Sequence, residues 1–262
     1  MDNKLKKIFK YWDNNAKIHK TSPAASWGDI NMINLEIEAV SQFIRQGDAV
    51  LDAGCANGYS TLQFLEKKPC FVKAFDYSPN MILAAKENLA ACKRESCKIK
   101  TDFYKADILN IPEKDETFDV SITTRVLINL PSWHLQKKAI DQMIRVTKPG
   151  GKILFSEAFS SSLRKINKLR RLFGLSELKA PAFNNYLKES LLEAYLAKKR
   201  LKFRIIRFSS VYYIGSRLMR EFYFGKSKIP SYQNPVNDFF FELERTSDVG
   251  DFGIQKLYLV EK

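Results

Sequence analysis

The sequence predicts an α/β protein built on a doubly wound, mostly parallel sheet. Two observations carry that expectation. Short apolar runs alternate with longer stretches of helical period through the first 160 residues or so, the pattern of a βαβ series. The first such run, AVLDAG, ends in a glycine turn, and about 22 residues after Gly54 comes Asp76 at the end of the second run. In doubly wound sheets ligands sit at that carboxyl edge.

The strands are expected at 49–54 (AVLDAG), 71–77 (FVKAFDY), 100–107 (KTDFYKAD), 118–124 (FDVSITT) and 151–158 (GKILFSEA), with helices near 59–67, 79–92 and 132–147 between them. The last of these helices has Ser132 as N-cap after Pro131, and KPGG closes its far end. Basic helices follow at about 161–173 and 184–201, then strands at 207–215 (RFSSVYYIG) and 255–262 (QKLYLVEK). The connection between these two strands, about 216–253, is rich in aromatics, Pro and Gly, and its length suggests a lid or acceptor loop. Residues 1–30 stand outside the alternation. There LKKIFKYWDNNAKI places Leu5, Ile8, Phe9 and Trp12 on one helical face, a cover for the sheet or the cofactor mouth. The expected organisation is therefore a helical cover (1–30) and one domain (31–262).

Composition is near globular averages, with 262 residues, 45% hydrophobic and 27% charged, so disorder is not expected. No apolar run reaches the ~18 residues of a membrane span, and the N-terminus lacks a signal-peptide core. A soluble cytoplasmic protein is expected. Cys55, Cys70, Cys92 and Cys97 are too scattered for a disulfide framework or a metal site and read as free thiols. The net charge of +14 is concentrated: residues 160–204 hold 12 Lys/Arg against three Glu. That excess reads as a solvated helix face, an anionic substrate or membrane surface, or a nucleic-acid grip.

The glycine turn discriminates between adenine cofactors. A dinucleotide site needs G-x-G-x-x-G for close approach to a pyrophosphate. Here the run is D-A-G-C-A-N-G, with a carboxylate, Asp52, before the first glycine. That charge would repel a diphosphate and suits a cofactor carrying an ammonium and a sulfonium. S-adenosylmethionine is favoured over NAD, and Asp76 is placed to accept ribose hydroxyls.

VLDAGCANGYS, AFDYSPNMI, YKADILNIP, FDVSITTRVLINLP and VTKPGGKILFSEA, in this order and spacing, resemble the class I S-adenosylmethionine-dependent methyltransferases over roughly residues 30–158. The resemblance implies a Rossmann-like sheet of seven strands with the last antiparallel. It implies that Asp52, Gly54, Cys55, Ala56 and Gly58 line the methionine side, Asp76 holds the ribose, and Tyr77 and Met81 pack near the adenine. Asp107 and Ile108 would receive the adenine edge, Thr124 and Arg125 would face the methionine end and the acceptor, and Tyr11 would close over the methionine. Met81 also reads as helix core, and Tyr77 as a strand cap. The chain's ends, through YWDNNAKIHK, PAFNNYLKE and NPVND, more loosely resemble small-molecule methyltransferases of bacterial surface-polysaccharide and sugar modification.

Methyl transfer chiefly requires positioning and exclusion of water, with a base only for a hydroxyl or protonated amine acceptor. The two histidines, His19 and His134, are the base candidates, although each reads first as a solvated surface imidazole. Arg125 could pair with an acceptor phosphate or carboxylate, or with Asp29 or Glu157, and Glu157 carries the same ambiguity. The leading expectation is methyl transfer to a small anionic acceptor such as a sugar, nucleotide-sugar or phosphorylated metabolite. Its rivals are an RNA or protein methyltransferase using the basic helices, although no N-P-P-Y follows the fourth strand, and a non-catalytic cofactor-binding subunit.

Overall fold

A computed structural model describes residues 3–93, 100–225, 230–247 and 250–262; Cys97 and parts of the 216–253 segment lie outside them. Seven strands, β1 (Ala49–Ala53), β2 (Phe71–Asp76), β3 (Thr101–Lys105), β4 (Phe118–Thr124), β5 (Thr147–Ala158), β6 (Lys202–Ile206) and β7 (Gln255–Glu261), form one sheet in the order β3-β2-β1-β4-β5-β7-β6. The strands β1 to β5 run parallel, and β7 is antiparallel to both β5 and β6. The order reverses between β1 and β4, which opens a crevice at their carboxyl ends.

Apolar residues on alternate faces of the strands bury two layers of helix. One face packs α2 (Ile30–Ser41), α3 (Tyr59–Lys67) and α4 (Pro79–Ala91) through Ile33, Phe64 and Ile82; the other packs α5 (Trp133–Val146) and α7 (Glu189–Lys198) through Ile140, Met143 and Leu196. The helix starts follow the sequence chemistry. Ser78 accepts from the Met81 N–H (3.1 Å) with Pro79 in the first turn, and Ser132 accepts from the Leu135 N–H (3.3 Å). The N-terminal cover is α1 (Asn3–His19), and α6 (Ser160–Leu172) follows β5.

Three expectations need correction. The sixth strand is Lys202–Ile206 and not 207–215; VYYI instead forms α8 (Ser210–Ile214), in which Tyr212 and Tyr213 are buried. Aromatic and β-branched residues favour strands only where they fit a pleated surface; here they are buried in the core on a short helix. Lys202 and Arg204 hid the true strand, which is the sheet edge, where charged side chains discourage further pairing. The KPGG segment does not end a helix before the strand. It belongs to β5, with a register irregularity between Phe118 and Val120 of β4. Finally, the described part of the segment 216–253 is largely helical and not an extended loop. After α8 a π-helical turn (Gly215–Met219) leads into α9 (Arg220–Phe224), and α10 (Pro235–Thr246) packs on α2 and α8.

Candidate active site

A cavity of about 570 Å³ lies over the carboxyl ends of β1, β2 and β4, roofed by α1 and by the connection between α6 and α7, within the size range of cofactor sites. It is lined by Asp52, Gly54, Cys55 and Ala56 from the turn after β1, Asp76, Tyr77 and Met81 around the end of β2, Asp107 and Ile108 after β3, and Thr124 and Arg125 at the end of β4. Tyr11 and His19 of α1 also line it.

Asp52 is 1% exposed. Its Oδ2 accepts from the Thr61 hydroxyl at 2.6 Å, while Oδ1 is buried without a hydrogen-bond partner. Burial pushes its pKa up to about 6, with Asp76 adding like-charge repulsion. Asp76 accepts from the N–H groups of Ser78 (2.8 Å) and Ala56 (3.1 Å), and burial likewise raises it to about 6. Each of its oxygens keeps a further acceptor site. The Tyr77 hydroxyl is a second buried group without a partner, and its ring meets Phe9 edge-on at 5.4 Å. Asp107 turns its chain by accepting from the Leu109 N–H at 2.9 Å. Met81 is buried with Ala16 and Ala25 beneath α1, so it is core and cavity wall at once.

Gly54 (φ +83) and Ala56 (φ +48) take the left-handed conformation in the turn that carries Cys55. The Cys55 thiol is buried, and burial holds its pKa well above the usual range. Gly58 does not line the cavity. It starts α3 at φ +72, where a Cβ would sit 2.7 Å from the Phe103 ring, so it serves the packing of the turn on β3.

The loop after β4 is held by Glu157 at the end of β5. This buried carboxylate accepts from the Thr123 hydroxyl (2.9 Å) and from the N–H groups of Val126 (3.0 Å), Leu127 (3.0 Å) and Ile128 (3.3 Å). Burial still pushes it up to about 7. Both oxygens are thus committed to shaping the loop. Arg125, at φ +58, pairs with Glu36 of α2, and not with Asp29 or Glu157, and its guanidinium lies over the Trp27 ring at 5.2 Å from the centroid. Asp29 instead caps α2 and pairs with Arg217 at 2.8 Å.

The roof is tied on both sides. Asp13 of α1 accepts from Ser78 (2.8 Å) and from Asn80 (2.8 and 2.9 Å), and the Trp12 indole donates to Asn129 at 3.2 Å. The Tyr11 and Phe183 rings stack at 4.4 Å. The Asn57 amide donates to the carbonyls of Lys20 (2.9 Å) and Ser22 (2.7 Å), fixing the end of α1 over the glycine turn.

His134 is exposed in the first turn of α5 and does not line the cavity; it is Gln136 of that turn that points inward, donating to the Leu127 carbonyl at 3.1 Å. The basic side chains of 160–204 are also outside: from that segment only Pro181, Phe183, Asn184 and Tyr186 line the cavity. The sequence reading missed Trp27, Phe183, Tyr186 and Tyr213, which lie far apart in the chain and share no spacing rule. Among the described residues no group of His, Cys, Asp and Glu could hold a metal, and no helix is long and apolar enough to cross a membrane.

Known proteins bear on this arrangement. A family described as "Methyltransferase domain" matches residues 44–193. The chain is 34% identical over 129 residues to a malonyl-[acyl-carrier protein] O-methyltransferase of Buchnera aphidicola, covering 49% of this chain and 47% of that protein, so it spans less than half of that relative. It is 27% identical over 205 residues to a demethylmenaquinone methyltransferase of Shouchella clausii, covering 74% and 81%. Among solved structures, the complex between the Haloferax volcanii Trm112 methyltransferase activator and a putative methyltransferase shares the fold at TM-score 0.58 and 14% identity, covering 98% of this chain and 96% of that one. With the family match extending over more than half of the chain and centred on the strands that build the cavity, the chain belongs to the class I S-adenosylmethionine-dependent methyltransferases.

Proposed function

We propose that this protein transfers a methyl group from S-adenosylmethionine to a small acceptor whose larger part is apolar. The observation that carries the reading is the unpartnered, buried Oδ1 of Asp52 in the cavity, one strand away from Asp76. A buried carboxylate oxygen without a donor is costly unless a cation or donor completes it. The residues present therefore fit the cofactor: Asp52 would hold its ammonium, Asp76 its ribose hydroxyls and Asp107 its adenine amino group. When bound, the cofactor supplies an electrophilic methyl on a good leaving group.

The chain's own contribution is placement and dryness. The roof of α1, pinned through Asp13 and Trp12, covers the cavity and limits water. Glu157 sets the loop that presents Arg125. For a hydroxyl acceptor, His19 remains the imidazole that could take the proton, since it lines the cavity and His134 does not.

The acceptor side argues against the anionic sugar or phosphate expected from the basic segment. Trp27, Phe183, Tyr186 and Tyr213 line the cavity, and the Arg125 charge is already matched by Glu36. Aromatic walls of this kind favour flat or apolar molecules. The relatives named above act on acceptors as different as malonyl-[acyl-carrier protein] and demethylmenaquinone, so the acceptor is read from the cavity and not from them.

Titration calorimetry with S-adenosylmethionine, S-adenosylhomocysteine and NAD tests the cofactor; binding of NAD alone would overturn it. Turnover assays with aromatic or apolar hydroxyl compounds, sugar phosphates and RNA test the acceptor. Turnover confined to sugar phosphates or to RNA would sink the apolar reading.

A further inference from the structure

The basic excess of residues 160–204 finds no use in the cavity, and it borders an exposed apolar surface. At the carboxyl end of α6, Leu172 is 77% exposed and Phe173 50%; on α9, Phe222 is 47% and Tyr223 75% exposed. The two helix ends form one patch. The Phe173 and Phe222 rings are 5.5 Å apart, and the buried Arg170 pairs with Glu221 at 2.8 Å and donates to the Arg217 carbonyl. Lys168 lies one turn before Leu172. Lys179 is held beside α6 because Asn167 and Leu178 exchange two hydrogen bonds of 2.9 Å. Both lysines are exposed, and neither is in an ion pair among the described residues.

We propose that this face docks on the surface of an anionic lipid bilayer. Exposed leucine and aromatic side chains enter the headgroup and acyl boundary, while the flanking lysines meet lipid phosphates. Clustered apolar exposure of this kind marks an interaction site. A second copy docked on the same patch would bring two lysine-bearing rims of one sign together, which disfavours self-association. The docking surface stands apart from the methyl-transfer reading.

The full chain is sedimented with vesicles of phosphatidylcholine alone and of phosphatidylcholine with phosphatidylglycerol. Binding is expected to the second kind, weakening with salt. Lys168→Gln and Lys179→Gln should each lower partitioning about fivefold. Leu172→Ser and Tyr223→Ser should each lower it about tenfold. These side chains are exposed, so melting temperature and S-adenosylhomocysteine binding should stay unchanged. Equal binding to both vesicles, or binding to neither, overturns the proposal. So does a dimer in analytical ultracentrifugation that Leu172→Ser dissolves, or RNA retention lost in the lysine variants and kept in Leu172→Ser.

Discussion

The Trp12 indole N–H and the Asn129 side-chain oxygen meet at 3.2 Å, joining α1 to the turn that follows β4 across 117 residues of sequence. Asp13, the next residue, binds the start of α4. The roof is therefore a strap fastened to both walls of the crevice, and its fastenings are polar and half-buried.

Loosening one fastening should lower cofactor retention without unfolding the sheet. Trp12→Phe keeps an aromatic ring and removes the hydrogen bond, worth about 0.5–1.5 kcal/mol. S-adenosylhomocysteine should bind about two- to tenfold more weakly and dissociate faster. Calorimetry and stopped-flow displacement measure both; unchanged dissociation would show that α1 does not gate the cavity.

With Asp52 holding the cofactor ammonium as proposed, cofactor binding depends on pH. Its folded pKa is raised from 3.8 to about 6 by burial, so the ligand-free fold binds a proton more readily than the unfolded chain. The stability this group contributes is fully present below about 3.8 and is lost as pH rises through about 6. A cationic ligand needs the ionised form, so affinity should fall as pH drops below about 6. Asp52→Asn should weaken S-adenosylmethionine about ten- to hundredfold, the range for a charge-assisted hydrogen bond, while raising the melting temperature of the ligand-free protein near pH 7. Calorimetry across pH 5–8 and thermal scans check the two signs, and a lowered melting temperature would mean that the Thr61 contact outweighs the desolvation.

The parts of this site that could be read from sequence are those fixed by local spacing. Asp52 and Asp76 lie at matched ends of adjacent strands because β1 and β2 pair in parallel, Asp52 opposite Ala74. The glycine turn and the Ser78 and Ser132 caps are local as well. What could not be read depends on contacts distant in sequence. Glu36 as the partner of Arg125 is 89 residues away. Tyr212 and Tyr213 looked like a strand until the packing of α8 against α10, distant in sequence, decided otherwise. Lysines of 160–204 suggested an anion site, yet charge counts carry no direction, and the chain turns only Phe183, Tyr186 and their neighbours inward.

Glu157 should behave as a positioning residue. Glu157→Gln keeps one oxygen for the N–H groups of Val126 and Leu127 and sets an amide donor against the Ile128 N–H. The unsatisfied loop should cost about 1–3 kcal/mol, a drop of roughly 2–12 °C in melting temperature for a chain of this size. Arg125 sits on that loop, so kcat should fall while S-adenosylhomocysteine affinity at Asp52 and Asp76 changes little. Equal losses in both would place Glu157 in the cofactor site itself.

Gly54 tests how closely the two halves of the crevice approach. At φ +83, a Cβ would lie 2.4 Å from Cγ2 of Val126, so Gly54→Ala suffers both an unfavourable backbone region, about 1–2 kcal/mol, and a collision with the loop after β4. The second cost falls first on Val126, which supplies the three nearest atoms. Gly54→Ala with Val126→Ala should therefore recover part of the lost stability and cofactor affinity, while Val126→Ala alone is mildly destabilising. Thermal scans and calorimetry on the three variants form a double-mutant cycle. Strict additivity would show that the turn after β1 does not rest on the loop after β4, and that Gly54 is required for its dihedral angle only.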